Sequence, residues 1–166
     1  MDKQQTDGDI KDAIRHAEAQ CLKQNVRLTE KRQNVLAVLL RAGKALSAYD
    51  ITALYKQQFK ESIPTMSIYR ILDFLDSRKL AHRLQLANKY VICEHIGCDH
   101  EHKQAQFLIC EQCQKVKELN SSSRISMELK HSVESSGFEL SNEQLEINCI
   151  CQDCLTDAKL AEESSL

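Results

Sequence analysis

The chain has 166 residues, enough for one ordinary domain or two small ones and too few for a large multidomain enzyme. With 42% hydrophobic and 28% charged residues, 4 Gly and 1 Pro, its composition is that of a helix-leaning globular protein and not of a disordered tail. The net charge of −2 conceals an asymmetry: residues 1–93 carry 16 Lys+Arg against 10 Asp+Glu, and residues 94–166 carry 6 against 14.

In chain order, residues 13–24 (AIRHAEAQCLKQ) show apolar positions at helical spacing, with Asp7, Asp9 and Asp12 placed to favour a helix N-terminus. Thr29 caps a second predicted helix that buries Val35, Leu36, Leu39 and Leu40 and stops at Gly43. Ser47 caps a third, with Ile51, Leu54 and Tyr55 inward, running to about Phe59. After a turn at Glu61 to Pro64, Thr65 or Ser67 caps a fourth, in which Ile68, Ile71, Leu72 and Leu75 follow the i, i+3, i+4, i+7 pattern. Ser67, Tyr69 and Arg70 then project outwards. LAHRLQL and KYVIC alternate like the two arms of a hairpin across Ala87 and Asn88.

Three helices and a hairpin make a winged helix-turn-helix, so residues 1–93 are expected to form a winged-helix domain with its wing at about 80–93. Beyond residue 94 the periodicity changes. FLIC and VKEL read as short strands around Cys110 to Cys113, residues 122–136 as an amphipathic helix, and Phe138 to Asn148 as extended. Residues 94–166 are thus expected to form a small α+β unit, with a hinge at about 94–104.

No apolar signal segment follows Met1, and the longest apolar run, Val35 to Leu40, is far too short to cross a bilayer. The expectation is a cytoplasmic protein without a membrane partner. Eight cysteines in a reducing compartment point to metal ligation or thiol chemistry and away from structural disulfides.

The strongest chemical signal is Cys110-x-x-Cys113 paired with Cys151-x-x-Cys154, the two knuckles 37 residues apart. Two CxxC knuckles offer four thiolates with little strain, the donor set of a closed tetrahedral zinc site. A thioredoxin-like redox pair would need one CxxC between a strand and a helix of a βαβ unit, a context missing here. A second, looser cluster comprises His82, Cys93, His95, Cys98, His100 and His102, with Glu118 beyond the first knuckle. A mixed N/S/O set drawn from it could bind a metal, and a thiolate in that set favours zinc over iron or manganese.

Residues 13–93 hold 14 Lys+Arg against 6 acids, a surplus suited to neutralising phosphates. On the presumed recognition helix Arg70, beside Tyr69, has the forked donors that read guanine O6 and N7, whereas Lys31, Arg32 and Lys89 suit the backbone. Cys21 and Cys149 read as core residues, and His16 and His131 as helix-surface residues. There is no catalytic Ser/His/Asp order, P-loop or Gly-rich nucleotide fingerprint, so neither an enzyme nor a small organic cofactor is expected.

The segments NVRLT (25–29), ALSAYDI (45–51), IYRILDFL (68–75), YVIC (90–93) and FLICEQCQKVKE (107–118) resemble, in order and over nearly the whole chain, the zinc-uptake branch of the ferric uptake regulator superfamily. The resemblance implies an N-terminal winged-helix domain, a C-terminal dimerisation domain, and two zinc ions per monomer, one structural and one regulatory at the hinge. Carried over, the structural zinc falls on Cys110, Cys113, Cys151 and Cys154. The regulatory zinc falls on His82, Cys93, Glu118 and a histidine before FLIC, with His102 preferred to His100. DNA contact falls on Tyr49, Ser67, Tyr69 and Arg70; Met66 stands where the pattern has proline. The implied function is a zinc-responsive repressor of zinc uptake genes, binding operator DNA as a homodimer. The rivals are an iron or peroxide sensor of the same superfamily and, from another class, a thiol oxidoreductase or zinc carrier.

Overall fold

The structure, a computed structural model, describes residues 6–94, 96, 105–120, 123–141 and 144–156, and divides into two units, residues 1–100 and 101–166. Helix α1 spans Asp7–Lys23 and begins well before the apolar periodicity because Thr6 and Asp9 form a capping box. The Thr6 N–H and O–H donate to Asp9 Oδ2 at 2.9 and 2.7 Å, and the Asp9 N–H donates back to Thr6 Oγ1 at 3.3 Å. Its inward face places Ile10, Ala17 and Cys21 in the core.

Helix α2, Glu30–Ala42, follows Thr29 and ends where Gly43 turns left-handed at φ 58°, its N–H donating to Leu39 O at 3.2 Å. Every residue from Val35 to Leu40 is buried, so this stretch of α2 is enclosed all round and not on one face as its pattern suggests, while Glu30, Lys31 and Arg41 near its ends are exposed. Its neighbours are α1, α3 (Ala48–Phe59), α4 (Thr65–Ser77) and the second wing strand. Ser47 caps α3 as expected, closing a capping box with Asp50, and Lys60 at φ 55° ends it.

The start of α4 differs from expectation. Neither Thr65 nor Ser67 is the cap; Pro64 occupies that position without a side-chain acceptor, and its carbonyl receives the Ser67 and Ile68 N–H groups at 2.8 and 3.2 Å. Proline's fixed φ presets the entry into the helix, which a search for hydroxyl caps overlooks. Ile68, Ile71, Leu72 and Leu75 are buried beneath it, each contributing about 1.5–3 kcal/mol by leaving water.

Strands β1 (Ala81–Leu84) and β2 (Lys89–Ile92) form the antiparallel wing, with His82 opposite Val91. Leu46 adds a third rung at its root by exchanging backbone hydrogen bonds with Tyr90 at 2.9 and 2.8 Å.

In the second unit β3 (Ala105–Cys110), β4 (Val116–Asn120) and β5 (Leu145–Cys149) form a sheet in the order β4-β3-β5. The β3–β4 pair is antiparallel and β3–β5 parallel, so α5 (Ser123–Ser135) lies on the crossover. Gln106 Nε2 donates to Ser126 Oγ at 3.4 Å, tying α5 to the face of β3 opposite that of the buried Phe107 and Ile109. Among the described residues of the extended stretch expected from Phe138 to Asn148, only Leu145 onwards is strand. No helix among the described residues is long and apolar enough to cross a membrane.

Candidate functional site

Cys110 closes β3, and the chain reverses through Gln114 at φ 62°, with the Cys110 N–H donating to Lys115 O at 2.9 Å. This tight turn brings Cys113 back beside Cys110. The parallel strand β5 places Cys149 level with Cys110, the Glu111 N–H donates to Cys149 O at 3.0 Å, and the second knuckle therefore starts next to the first. Cys110 Sγ lies 3.9 Å from Cys154 Sγ and Cys113 Sγ lies 3.6 Å from Cys151 Sγ, all four within 4.8 Å of one another. The edge of a tetrahedron with Zn–S bonds of 2.3 Å is about 3.8 Å, so the four sulfurs fit a zinc ion.

The electrostatics agree with that fit. Backbone N–H groups of Cys113, Cys151 and Gln112 point at Cys110 Sγ and lower its pKa to about 6. Hydrogen bonding with Cys151, assisted by burial and the neighbouring sulfurs, pushes Cys154 up to about 12. Cys113 is also raised, although its own hydrogen bond from the Lys115 backbone pulls the other way. Four thiols this close cannot all ionise unless a cation balances them. Lys115 Nζ and Asp153 Oδ2, 3.0 Å apart, join the two knuckles, a pairing of residues 38 apart that nothing in the sequence signals.

The second cluster divides between the units. In the first, His82 on β1 and Cys93 just past β2 are both buried, and their ligand atoms come within 4.8 Å of each other at the wing root. The Cys93 N–H donates to Leu80 O at 3.1 Å, which extends the hairpin by one rung and fixes that approach. In the second, Glu118 is buried on β4, opposite Phe107. His95, Cys98, His100 and His102 lie outside the described residues. Cys21 is buried in α1 as expected, while Cys149 is half-buried, its thiol donating to Ile109 O at 3.6 Å.

The third group lies on the face of the helix-turn-helix. Tyr49, on the first turn of α3, is 71% exposed; on α4 Arg70 is exposed, with Ser67 and Tyr69 half-buried. Two residues expected at the DNA backbone also have partners within the fold. Arg32 lies over the Phe74 ring at 3.5 Å and donates to Arg27 O at 2.7 Å, and Lys31 pairs with Glu61 at 3.1 Å. Lys89 sits half-buried at the start of β2.

Set against known proteins, this pairing of a winged helix with a four-cysteine sheet domain has clear relatives. The Zinc uptake regulation protein of Escherichia coli (strain K12) is 32% identical over 143 residues, covering 86% of this chain and 81% of that protein. The structure of a zinc uptake regulator complexed with zinc and DNA superposes with a TM-score of 0.80 at 27% identity, covering 93% of this chain and 99% of that one. The crystal structure of holo XcZur gives 0.70 at 30% identity over 86% of this chain and 96% of its own. Residues 23–148 match the Ferric uptake regulator family, and the chain belongs to that family.

Proposed function

We propose that the chain is a zinc-responsive transcriptional repressor, binding operator DNA as a homodimer while a regulatory zinc site is filled and so controlling zinc uptake genes in the cytoplasm. The observation that carries the reading is at the wing root, where His82 and Cys93 bring one nitrogen and one sulfur donor together in the DNA-binding unit. A thiolate in such a set selects zinc over iron or manganese, which disfavours an iron or peroxide sensor. The four-sulfur cluster, closed by two knuckles, suits a structural metal better than a redox dithiol or the exchangeable site of a carrier.

Two zinc ions per monomer follow, a structural one on Cys110, Cys113, Cys151 and Cys154 and a regulatory one on His82, Cys93, His102 and Glu118. When bound, zinc supplies the positive charge these donors need and joins groups from both units. Because His82 and Cys93 belong to the wing and Glu118 and His102 to the second unit, ligation by all four restrains the orientation of α4. A dimer so restrained presents its two α4 helices to successive major-groove half-sites, with Tyr49, Ser67, Tyr69 and Arg70 at the DNA. A coupling of about 1–3 kcal/mol would raise operator affinity about 5- to 150-fold.

The test is zinc content per monomer before and after mild chelation, paired with zinc-titrated binding to a palindromic promoter fragment. One zinc that resists the chelator, and a second lost together with DNA binding, is the expected result. A single zinc, or DNA binding indifferent to the second, would overturn the regulatory site.

A further inference from the structure

The α4 face turned away from the core carries Met66, Tyr69, Arg70 and Asp73, which recur at i, i+3, i+4 and i+7 and therefore lie in one stripe. Met66, the second residue of the helix, is 66% exposed. Beside it stands the first turn of α3: Thr52 Oγ1 and Thr65 Oγ1 are 3.5 Å apart, and Tyr49, one turn before Thr52, is 71% exposed. Tyr49 and Met66 thus leave an aromatic ring and a thioether exposed near the N-terminal ends of two helices that meet at Thr52 and Thr65, and Arg70 follows Met66 one turn along α4. Single exposed apolar residues need no explanation, but such a pair within a segment carrying 14 basic residues against 6 acids marks a surface with a partner.

On the reading that this face enters the major groove, the chemistry of that partner is narrow. Base edges there offer hydrogen-bond donors and acceptors and one apolar feature, the C5-methyl of thymine. Arg70 can satisfy a guanine, but nothing in a methionine side chain can satisfy a donor or acceptor better than water does. We propose that Met66 is a specificity-determining residue whose side chain packs against a thymine C5-methyl in the half-site, adjacent to the base contacted by Arg70. The inference rests on the operator-binding reading above and adds to it a preference at one base position.

The test uses zinc-loaded full-length protein and a duplex recovered by it from a random-sequence pool. Each thymine is replaced in turn by deoxyuridine, which removes only the methyl group. At one position per half-site the substitution should weaken the wild type about fourfold, the worth of one buried methyl. The same substitution should leave Met66→Ala unaffected, and Met66→Leu should recover the sensitivity. If the wild type and Met66→Ala respond alike at every thymine, the inference fails while operator binding stands. It also fails if Met66→Ala changes the oligomeric state and leaves the thymine scan unaltered, since the patch then serves a protein contact. If no duplex is recovered, the operator-binding reading falls, and this one with it.

Discussion

Cys93 concentrates the functional argument in one sulfur atom. It is buried, held by its N–H to Leu80, and placed beside His82, so serine at that position keeps the backbone contacts and removes the soft donor. Cys93→Ser is expected to fold normally by circular dichroism and to lose the whole zinc-dependent gain in DNA affinity, about 5- to 150-fold, in a titrated binding assay. Ser47 is a purely structural counterpart. Its hydroxyl donates to Asp50 and accepts the Asp50 N–H, so Ser47→Ala should cost about 1 kcal/mol, read as a lower thermal midpoint. The Ser47 hydroxyl and N–H, both donating to Asp50 Oδ2, hold the Asp50 carboxyl below its ordinary 3.8, so their contribution is complete above that pH and lost as the pH falls through the lowered value. The gap in stability between the wild type and Ser47→Ala should therefore narrow in strong acid. The approach of Cys110, Cys113, Cys151 and Cys154 was legible from spacing and residue type alone. Lys31 and Arg32 were not, because their partners Glu61 and Phe74 are 30 or more residues away and an exposed basic pair looks the same whether or not it is engaged.

Among the elements, those with local punctuation are the ones the sequence makes readable. Gly43 ends α2 and Ser47 starts α3 through contacts within four residues. The entry into α4 is set by the backbone of Pro64, and the strand β5 begins later than its composition suggests because pairing with β3, 39 residues upstream in register, decides which residues are extended. That pairing also builds the four-sulfur site, so the knuckles and the sheet should fail together. Cys113→Ser is expected to abolish the chelator-resistant zinc and to make residues from 101 on protease-sensitive, while the winged-helix unit survives. Acid should do the same reversibly. Zinc binds thiolates and protons compete for them, so retention rises with pH, and release followed with a chromophoric chelator should set in below about pH 6, where even Cys110 would be mostly protonated without metal.

Over the whole molecule, charge is divided between the two parts of the chain. The basic surplus lies in residues 1–93 and the acidic surplus in residues 94–166, while both units leave large apolar side chains exposed, Tyr49 and Met66 in the first and Ile125, Met127 and Phe138 in the second. Operator affinity should fall steeply with salt, and Lys89→Ala should flatten the log–log slope by about 1 per subunit if Lys89 meets a phosphate. The fold class was legible from helical periodicity and the hairpin; the parallel β3–β5 pairing was not, since strand order is not written in any local pattern. That pairing also has a consequence for synthesis. A zinc ion shared by Cys110 and Cys154 would join residues 44 apart, while the first unit is made up of residues 1–100. On the ribosome the winged helix can therefore form first, and the clasp of the second unit can fasten only once Cys154 has been made.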